Sequence, residues 1–145
     1  MVILTLKHNK LKLITLEDKS YTDCGEGHFP HSHFLNQPFG SKIWNKKGNG
    51  YIHALRPDPS LFSLALEHKT QIIYAADIAL IMHLLELKRG SVVFESGTGS
   101  CSLTTSLSRR VGDIGRVFTF EFNHDRYENA KKVTRRLGLG NVLCH

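Results

Sequence analysis

Apolar and polar residues alternate from the start of the chain. Val2, Leu4 and Leu6 interleave with Ile3, Thr5 and Lys7, and Leu11, Leu13 and Leu16 follow an Asn9-Lys10 turn candidate. A period of two marks half-buried strands. Gly25, Gly27, Pro30, Pro38, Gly40, Gly48 and Gly50 then punctuate short segments such as 41–44 and 51–55. Short strands between frequent turn residues predict a small barrel or meander. Arg56-Pro57-Asp58-Pro59 reads as a rigid hinge, because each proline fixes its own φ and pushes the preceding residue to extended geometry. The expected division is a β-rich, barrel-like domain over 1–58 and a second domain over 59–145.

Beyond the hinge the period lengthens. Asp77 is the candidate N-cap of a helix over 77–87, with Ile78, Ile81, Met82 and Leu85 on one face and Lys88, Arg89 and Gly90 closing it. A short apolar strand over 91–95 leads into a glycine loop over 96–100 and a helix over 102–110. A second buried strand covers 117–121, a helix over 125–137 ends at Gly138, and 141–144 begins a third strand. β-α-β-α-β is the opening of a doubly wound parallel sheet.

Composition narrows the class. Hydrophobic residues make up 41% of the 145, enough for a packed core and against wholesale disorder. Nineteen Lys and Arg against thirteen Asp and Glu give a formal +6, which suits a polyanionic partner without identifying one. Cys24, Cys101 and Cys144 are an odd count with no CxxC spacing, so neither a disulfide framework nor a structural zinc site is supported. The N-terminus lacks the apolar run of a signal peptide, and the longest apolar stretch, 78–87, is broken by His83 and Glu86. No membrane partner and an intracellular, reducing compartment are therefore expected.

Several smaller features have both a chemical and a plain reading. Cys24, His28, His31 and His33 have a spacing that could hold zinc, but loop histidines without paired cysteines usually do not, and no metal is expected. Lys131, Lys132, Arg135 and Arg136 fall at helical spacing and could meet phosphate, with a solvated face as the default. Trp44, among Lys42, Lys46 and Lys47, either stacks on a base or fills the small barrel's core, and the core is the expected place. His68 and His83 invite catalytic roles. His83, beside apolar neighbours, is expected as a hydrogen-bonded core or boundary residue.

The glycine loop carries the strongest chemistry. Gly97 and Gly99 at a strand-to-helix turn let the backbone approach a ligand, and the helix N-terminus offers unpaired N–H groups. Glu121, closing the next strand, is placed to accept hydrogen bonds from two ribose hydroxyls. The dinucleotide fingerprint would need glycine where Ser102 stands. The pattern Glu95-x-Gly97-x-Gly99 is instead typical of class I methyltransferases, which favours a methyl donor over NAD and leaves NAD as an alternative.

From Pro38 to Glu121 the chain resembles the catalytic subunit of eukaryotic tRNA adenine-58 N1-methyltransferase. The blocks are Pro38-Phe39-Gly40-Ser41-Lys42, Arg56-Pro57-Asp58-Pro59-Ser60-Leu61-Phe62, His68-Lys69-Thr70-Gln71-Ile72-Ile73-Tyr74, Asp77-Ile78 and Gly90-Ser91-Val92-Val93. Glu95-Ser96-Gly97-Thr98-Gly99-Ser100 and Phe120-Glu121-Phe122 complete them. Residues 9–37 match little. The resemblance implies an N-terminal β-rich domain on a Rossmann-like methyltransferase domain, S-adenosylmethionine as cofactor, tRNA as substrate, and the nucleus as location. It also implies a non-catalytic paralogous subunit, together with which the catalytic subunit forms a heterotetramer.

By the same resemblance Ser96, Gly97, Thr98 and Gly99 bind the cofactor, with Ser100, Cys101 and Ser102 at its methionine end. Ile73 packs near it, Glu121 takes the ribose and Arg126 lies close by. Gln71, Ile72, Ile73 and Tyr74 shape the pocket for an adenine that must leave its stack. Two departures stand out. Cys101 occupies a family glycine position, where a positive φ would cost about 1–3 kcal/mol. The family's base-positioning Asp lies after a fourth strand, beyond His145, so no catalytic residue is expected here. The chain is accordingly expected to be a fragment or short isoform, inactive alone. The rival reading is a non-catalytic paralogue or RNA-binding assembly subunit.

Overall fold

The N-terminal alternation folds into β1 (Val2–Thr5) and β2 (Leu11–Ile14), an antiparallel pair in which Val2 faces Ile14 and Thr5 faces Leu11. A second pair, β5 (Lys42–Trp44) and β6 (Tyr51–Leu55), joins them through β1, giving a four-stranded sheet in the order β2-β1-β6-β5. Between the pairs, β3 (Tyr21–Cys24) and β4 (Gly27–Pro30) form a separate hairpin. The computed structural model describes residues 1–6, 10–66 and 71–145. Asn9 of the expected turn and His68, Lys69 and Thr70 lie outside them. The strands make two sheets rather than a closed barrel.

Val2, Leu4, Ile14, Ile43, Ile52 and Ala54 turn one face of the larger sheet toward Phe29 and Phe34. Ile3 points the other way and is still fully buried, because α1 (Pro59–Ala65) packs across β1 and β2 and brings Phe62 with it. The expected hinge is in fact the start of this helix. Asp58 accepts hydrogen bonds from the N–H groups of Ser60 and Leu61 at 2.9 and 3.0 Å, and Pro59 takes the first helical position. Such a cap contributes about 1 kcal/mol, and proline there gives up no hydrogen bond. The chain's two compact units accordingly divide after Leu66 rather than after Asp58.

The histidine cluster separates into individual hydrogen bonds. Buried His31 accepts the Glu17 N–H at Nδ1 (3.0 Å), so Nε2 carries the proton and donates to Thr22 Oγ1 (2.9 Å). His28 pairs with Asp23, and His33 Nδ1 donates to the Trp44 carbonyl. Among the described residues no group of His, Cys, Asp and Glu is placed to hold a metal ion. Trp44 is not a core residue, being 50% exposed. The alternation of β5 sends Ile43 inward and Trp44 out.

In the second unit β7 (Val92–Ser96), β8 (Arg116–Phe120) and β9 (Val142–Cys144) run parallel in the order β7-β8-β9. The connections are α3 (Ser102–Val111) and α4 (His124–Arg136). Val93, Val117, Leu107, Val111 and Leu87 form the core, while Val92, Phe94 and Phe120 on the opposite sheet face are exposed. The rings of Phe94 and Phe118 stack there at 5.1 Å.

α2 (Ala75–Leu84) starts before Asp77, which therefore sits inside the first turn and is not the cap. It also ends earlier than expected. Glu86 takes φ 49°, its N–H reaches the His83 carbonyl, and the Leu87 N–H reaches the Met82 carbonyl. This is a Schellman closure, driven here by the burial of Leu87 rather than by glycine. Ile78 is buried, Ile81 and Met82 half-buried, and Leu85 and His83 exposed. α4 closes the same way on Gly138, as expected. On α4, Lys131 pairs with Glu128 at 3.2 Å, whereas Lys132, Arg135 and Arg136 are exposed. No helix of the described residues is long and apolar enough to cross a membrane.

The β5–β6 turn is closely packed against the β3–β4 hairpin. Buried Asn45 donates to the Glu26 carbonyl and to Asn49 Oδ1, and accepts from the N–H groups of Lys47 and Asn49. A Cβ at Gly50 would lie 2.6 Å from the Glu26 carbonyl oxygen. Gly50→Ala should therefore destabilise the chain by about 1–3 kcal/mol, lowering Tm in a thermal melt by several degrees.

Candidate functional site

The loop between β7 and α3 is held by β8. The Gly97 and Thr98 N–H groups donate to the Phe120 carbonyl at 2.8 and 3.2 Å. Gly97, Gly99 and Cys101 all take positive φ, at 89°, 56° and 67°. Among the described residues nothing lies within 4 Å of where a Cβ on Gly97 would stand, so the loop presents bare backbone there.

Beneath the loop sits a buried carboxylate that sequence reasoning treated only as part of the motif. Glu95, 7% exposed, accepts hydrogen bonds at one oxygen from Thr104 Oγ1 on α3 (2.7 Å) and Thr119 Oγ1 on β8 (2.6 Å). With its proton committed to Glu95, Thr119 accepts from Thr98 Oγ1 at 2.6 Å. The loop is thus tied through hydroxyls to both strands and the helix. Burial raises the Glu95 pKa, and the bonds from Thr119 and Thr104 only partly offset that.

Glu121 closes the site at the C-terminal end of β8. Its side chain is 4% exposed. Oε2 accepts from the Gly99 N–H (2.9 Å), and Oε1 accepts from the Asn123 N–H (3.0 Å) and from Arg126 Nε and Nη2 (3.1 and 3.0 Å). Burial alone would raise its pKa. The Asn123 and Gly99 amides and the Arg126 guanidinium outweigh that and hold it below the ordinary carboxylate value. Four donors fill about all the accepting positions of a carboxylate. Two further hydroxyls can be taken only if a donor lets go, and half-exposed Arg126 is the one free to swing.

A cleft lies in front of these groups. Ser96, Gly97, Gly99, Glu121 and Arg126 line it together with Gln71. Phe120, Phe122 and His145 line it too, and sequence reasoning assigned none of them a role. Phe122 is fully exposed, and an exposed aromatic next to the acid is the signal that would have found it. The remaining expected residues are not among those that line it. Thr98, Cys101 and Ser102 are buried and Ser100 is half-buried. Ser102 Oγ donates to the Ile73 carbonyl at 2.6 Å, fixing the 71–74 segment to the start of α3. In that segment Ile72 is buried, Ile73 half-buried and Tyr74 exposed.

Cys101 resolves one expectation. Its φ of 67° is left-handed, which carries the strain, yet its side chain is fully buried. The thiol does not project into the cleft. Burial, with Cys144, Glu95 and Glu121 nearby, pushes its pKa up to about 12.

A parallel β-α-β-α-β unit with a glycine loop under an acid closing the second strand has the architecture of the class I methyltransferases. An S-adenosylmethionine-dependent O-methyltransferase from Thermotoga maritima aligns with a TM-score of 0.82 at 24% identity, over 99% of this chain and 54% of its own, and so shares the fold. The tRNA (m1A58) methyltransferase TrmI from Aquifex aeolicus aligns at 0.71 with 32% identity, over 99% and 55%. The profile of the family described as tRNA methyltransferase complex GCD14 subunit matches residues 50–144, and the chain belongs to that family. The tRNA (adenine(58)-N(1))-methyltransferase catalytic subunit of Cryptococcus neoformans is 41% identical over 143 residues, 98% of this chain and 33% of its own length. The Schizosaccharomyces pombe subunit is 40% identical over 135 residues, 93% and 37%. The chain thus spans about a third of the length of these curated relatives.

Two outcomes follow from the buried groups. A thiol with a pKa near 12 is thiolate to about one part in ten thousand at pH 8, so Ellman's reagent should titrate Cys24 and Cys144 in the native chain and reach Cys101 only on unfolding. Because the Glu95 pKa is raised on folding, the stability it contributes is full below the ordinary value of 4.5 and lost as pH rises through the folded value. The stability of the wild type relative to Glu95→Gln should therefore fall as pH rises above 4.5 in urea titrations. A difference independent of pH would mean that Glu95 is not buried as described.

Proposed function

We propose that this chain is the S-adenosylmethionine-binding part of a tRNA adenine-58 N1-methyltransferase catalytic subunit. The observation that carries the reading is the Glu121 carboxylate, poised at the rim of an open cleft and bonded to the Gly99 amide of the loop. The residues present fit the cofactor. Glu121 accepts the ribose hydroxyls once Arg126 releases it, the exposed Phe122 ring offers a flat surface to the adenine, and the bare backbone at Gly97 leaves room for the methionine end. Bound there, the cofactor supplies a methyl group on an electron-poor sulfonium. Glu95 and its threonines keep the loop in place without touching it. Gln71, in the same cleft, and exposed Tyr74 would meet the acceptor base in this reading.

Supporting this reading are the family membership and the similarity to proteins described as tRNA adenine-58 methyltransferase catalytic subunits. The tRNA substrate, a heterotetramer with a paralogous subunit and a nuclear location belong to the same proposal. We assign donor binding to this chain and leave the transfer step to no residue described here.

Calorimetry tests the reading. S-adenosylmethionine should bind and NAD should not, and Glu121→Ala should weaken binding roughly tenfold or more, since hydrogen bonds to a charged group contribute about 1.5–3 kcal/mol each. Equal affinity for NAD, or indifference to Glu121→Ala, would overturn it.

A further inference from the structure

Trp44, Tyr51, Lys42 and His53 occupy one face of the β5–β6 ladder, opposite the face that sends Ile43, Ile52 and Ala54 into the core. Trp44 lies directly across from Tyr51, with ring centroids 5.3 Å apart, and the Tyr51 and His53 rings are 5.6 Å apart. The Lys42 ammonium sits 4.3 Å from the centre of the Tyr51 ring. Trp44 and Tyr51 remain 50% and 42% exposed. The turn that follows Trp44 presents Lys46 and Lys47, both exposed, from a backbone fixed by the buried Asn45 network.

We propose that this face is a stacking platform for unpaired bases of an RNA, with Lys42, Lys46 and Lys47 taking the adjoining phosphates. Every base has a π-face, so two exposed rings beside a line of cations bind single-stranded RNA without reading its sequence. Cross-strand aromatic pairing stabilises a hairpin and accounts for the rings facing each other. It does not account for leaving both rings nearly half open among three lysines. On the neighbouring hairpin Asp23 is paired with His28 at 2.8 Å, and Glu26 stands at the tip, where its carbonyl accepts from Asn45. Because Asn45 holds the turn, binding would order little further backbone, which favours affinity. The surface shares no residue with the cofactor cleft, and its assignment to RNA rests on the proposed tRNA methyltransferase reading.

Trp44 is the single tryptophan of the chain, so its emission reports on this face alone. The whole chain is titrated with unmodified tRNA transcript and with a single-stranded oligoadenylate, following Trp44 emission alongside filter retention. Emission should be quenched with the same midpoint as retention. Lys46→Gln with Lys47→Gln should weaken retention several-fold and lower the salt slope of log affinity by about 1.4, at about 0.7 per phosphate on a single strand. Tyr51→Leu should cost roughly fivefold or more. Lys10→Gln with Lys12→Gln, equal in charge but elsewhere, should leave both readouts unchanged. RNA retained with Trp44 emission unaltered, or equal losses in the two lysine pairs, would overturn the platform. Cofactor binding in the same preparation separates the two readings. No retention with S-adenosylmethionine still bound defeats the platform alone, and loss of both defeats the reading it rests on.

Discussion

A carboxylate shut away from water holds the second unit in register. Burying a charge costs several kcal/mol unless hydrogen bonds replace its hydration, and Glu95 recovers them from Thr104 and Thr119, with Thr98 one hydroxyl further on. One side chain thereby links β7, β8, α3 and the glycine loop. It accounts for Thr104 on the buried side of α3, where Thr105 and Ser106 bond back to the Ser102 carbonyl beside the apolar Leu107 and Val111. The far end of that helix repeats the device with an amide. Asn141 accepts from Ser108 Oγ and donates to the Ser108 and Gly112 carbonyls. Helix and sheet are thus pinned at both ends by polar side chains, with the apolar contact between them. Networks of this kind specify a single arrangement, because any shift strands a buried donor or acceptor.

How much of this was legible in the sequence depends on whether the signal was local. The period-two alternation and the β-α-β-α-β order were legible because side-chain direction follows backbone geometry residue by residue. So was the end of α4, where Gly138 takes the positive φ that closes it. The bounds of α2 were not, because Asp77 caps nothing and the closure at Glu86 is decided by where Leu87 is buried. α1 was hidden by its two flanking prolines, which read as a hinge until the Asp58 cap and the burial of Phe62 against β1 and β2 are known. Trp44 was misplaced for a related reason. Its strand is only three residues long, and the face it shows follows from Ile43 and Ile52 being inside. Of the site, the glycines and Glu121 were readable from spacing, but Glu95 as a node was not. Its partners are hydroxyls distant in sequence, and hydroxyls carry no periodic signal.

In the proposed reading the two carboxylates divide the work between support and binding, and the division follows from what surrounds each. Glu95 faces hydroxyls under the sheet, where burial dominates and its proton affinity rises. Glu121 faces two backbone amides and a guanidinium, which outweigh its burial and keep it ionised well into mild acid. An ionised acceptor at the rim is what a ribose needs, and a loop that stays put is what the rim needs. Cys101 fits the same logic. A left-handed, non-glycine residue costs free energy, and it persists only where its surroundings over-determine it. Here the Cys101 N–H is held by the Thr98 carbonyl, and its own carbonyl accepts the first helical bond, from Thr105. The strain is carried by the backbone behind the loop while the thiol stays inside. Cysteine at this position therefore bears on the energy of the loop and leaves the shape of the cleft alone.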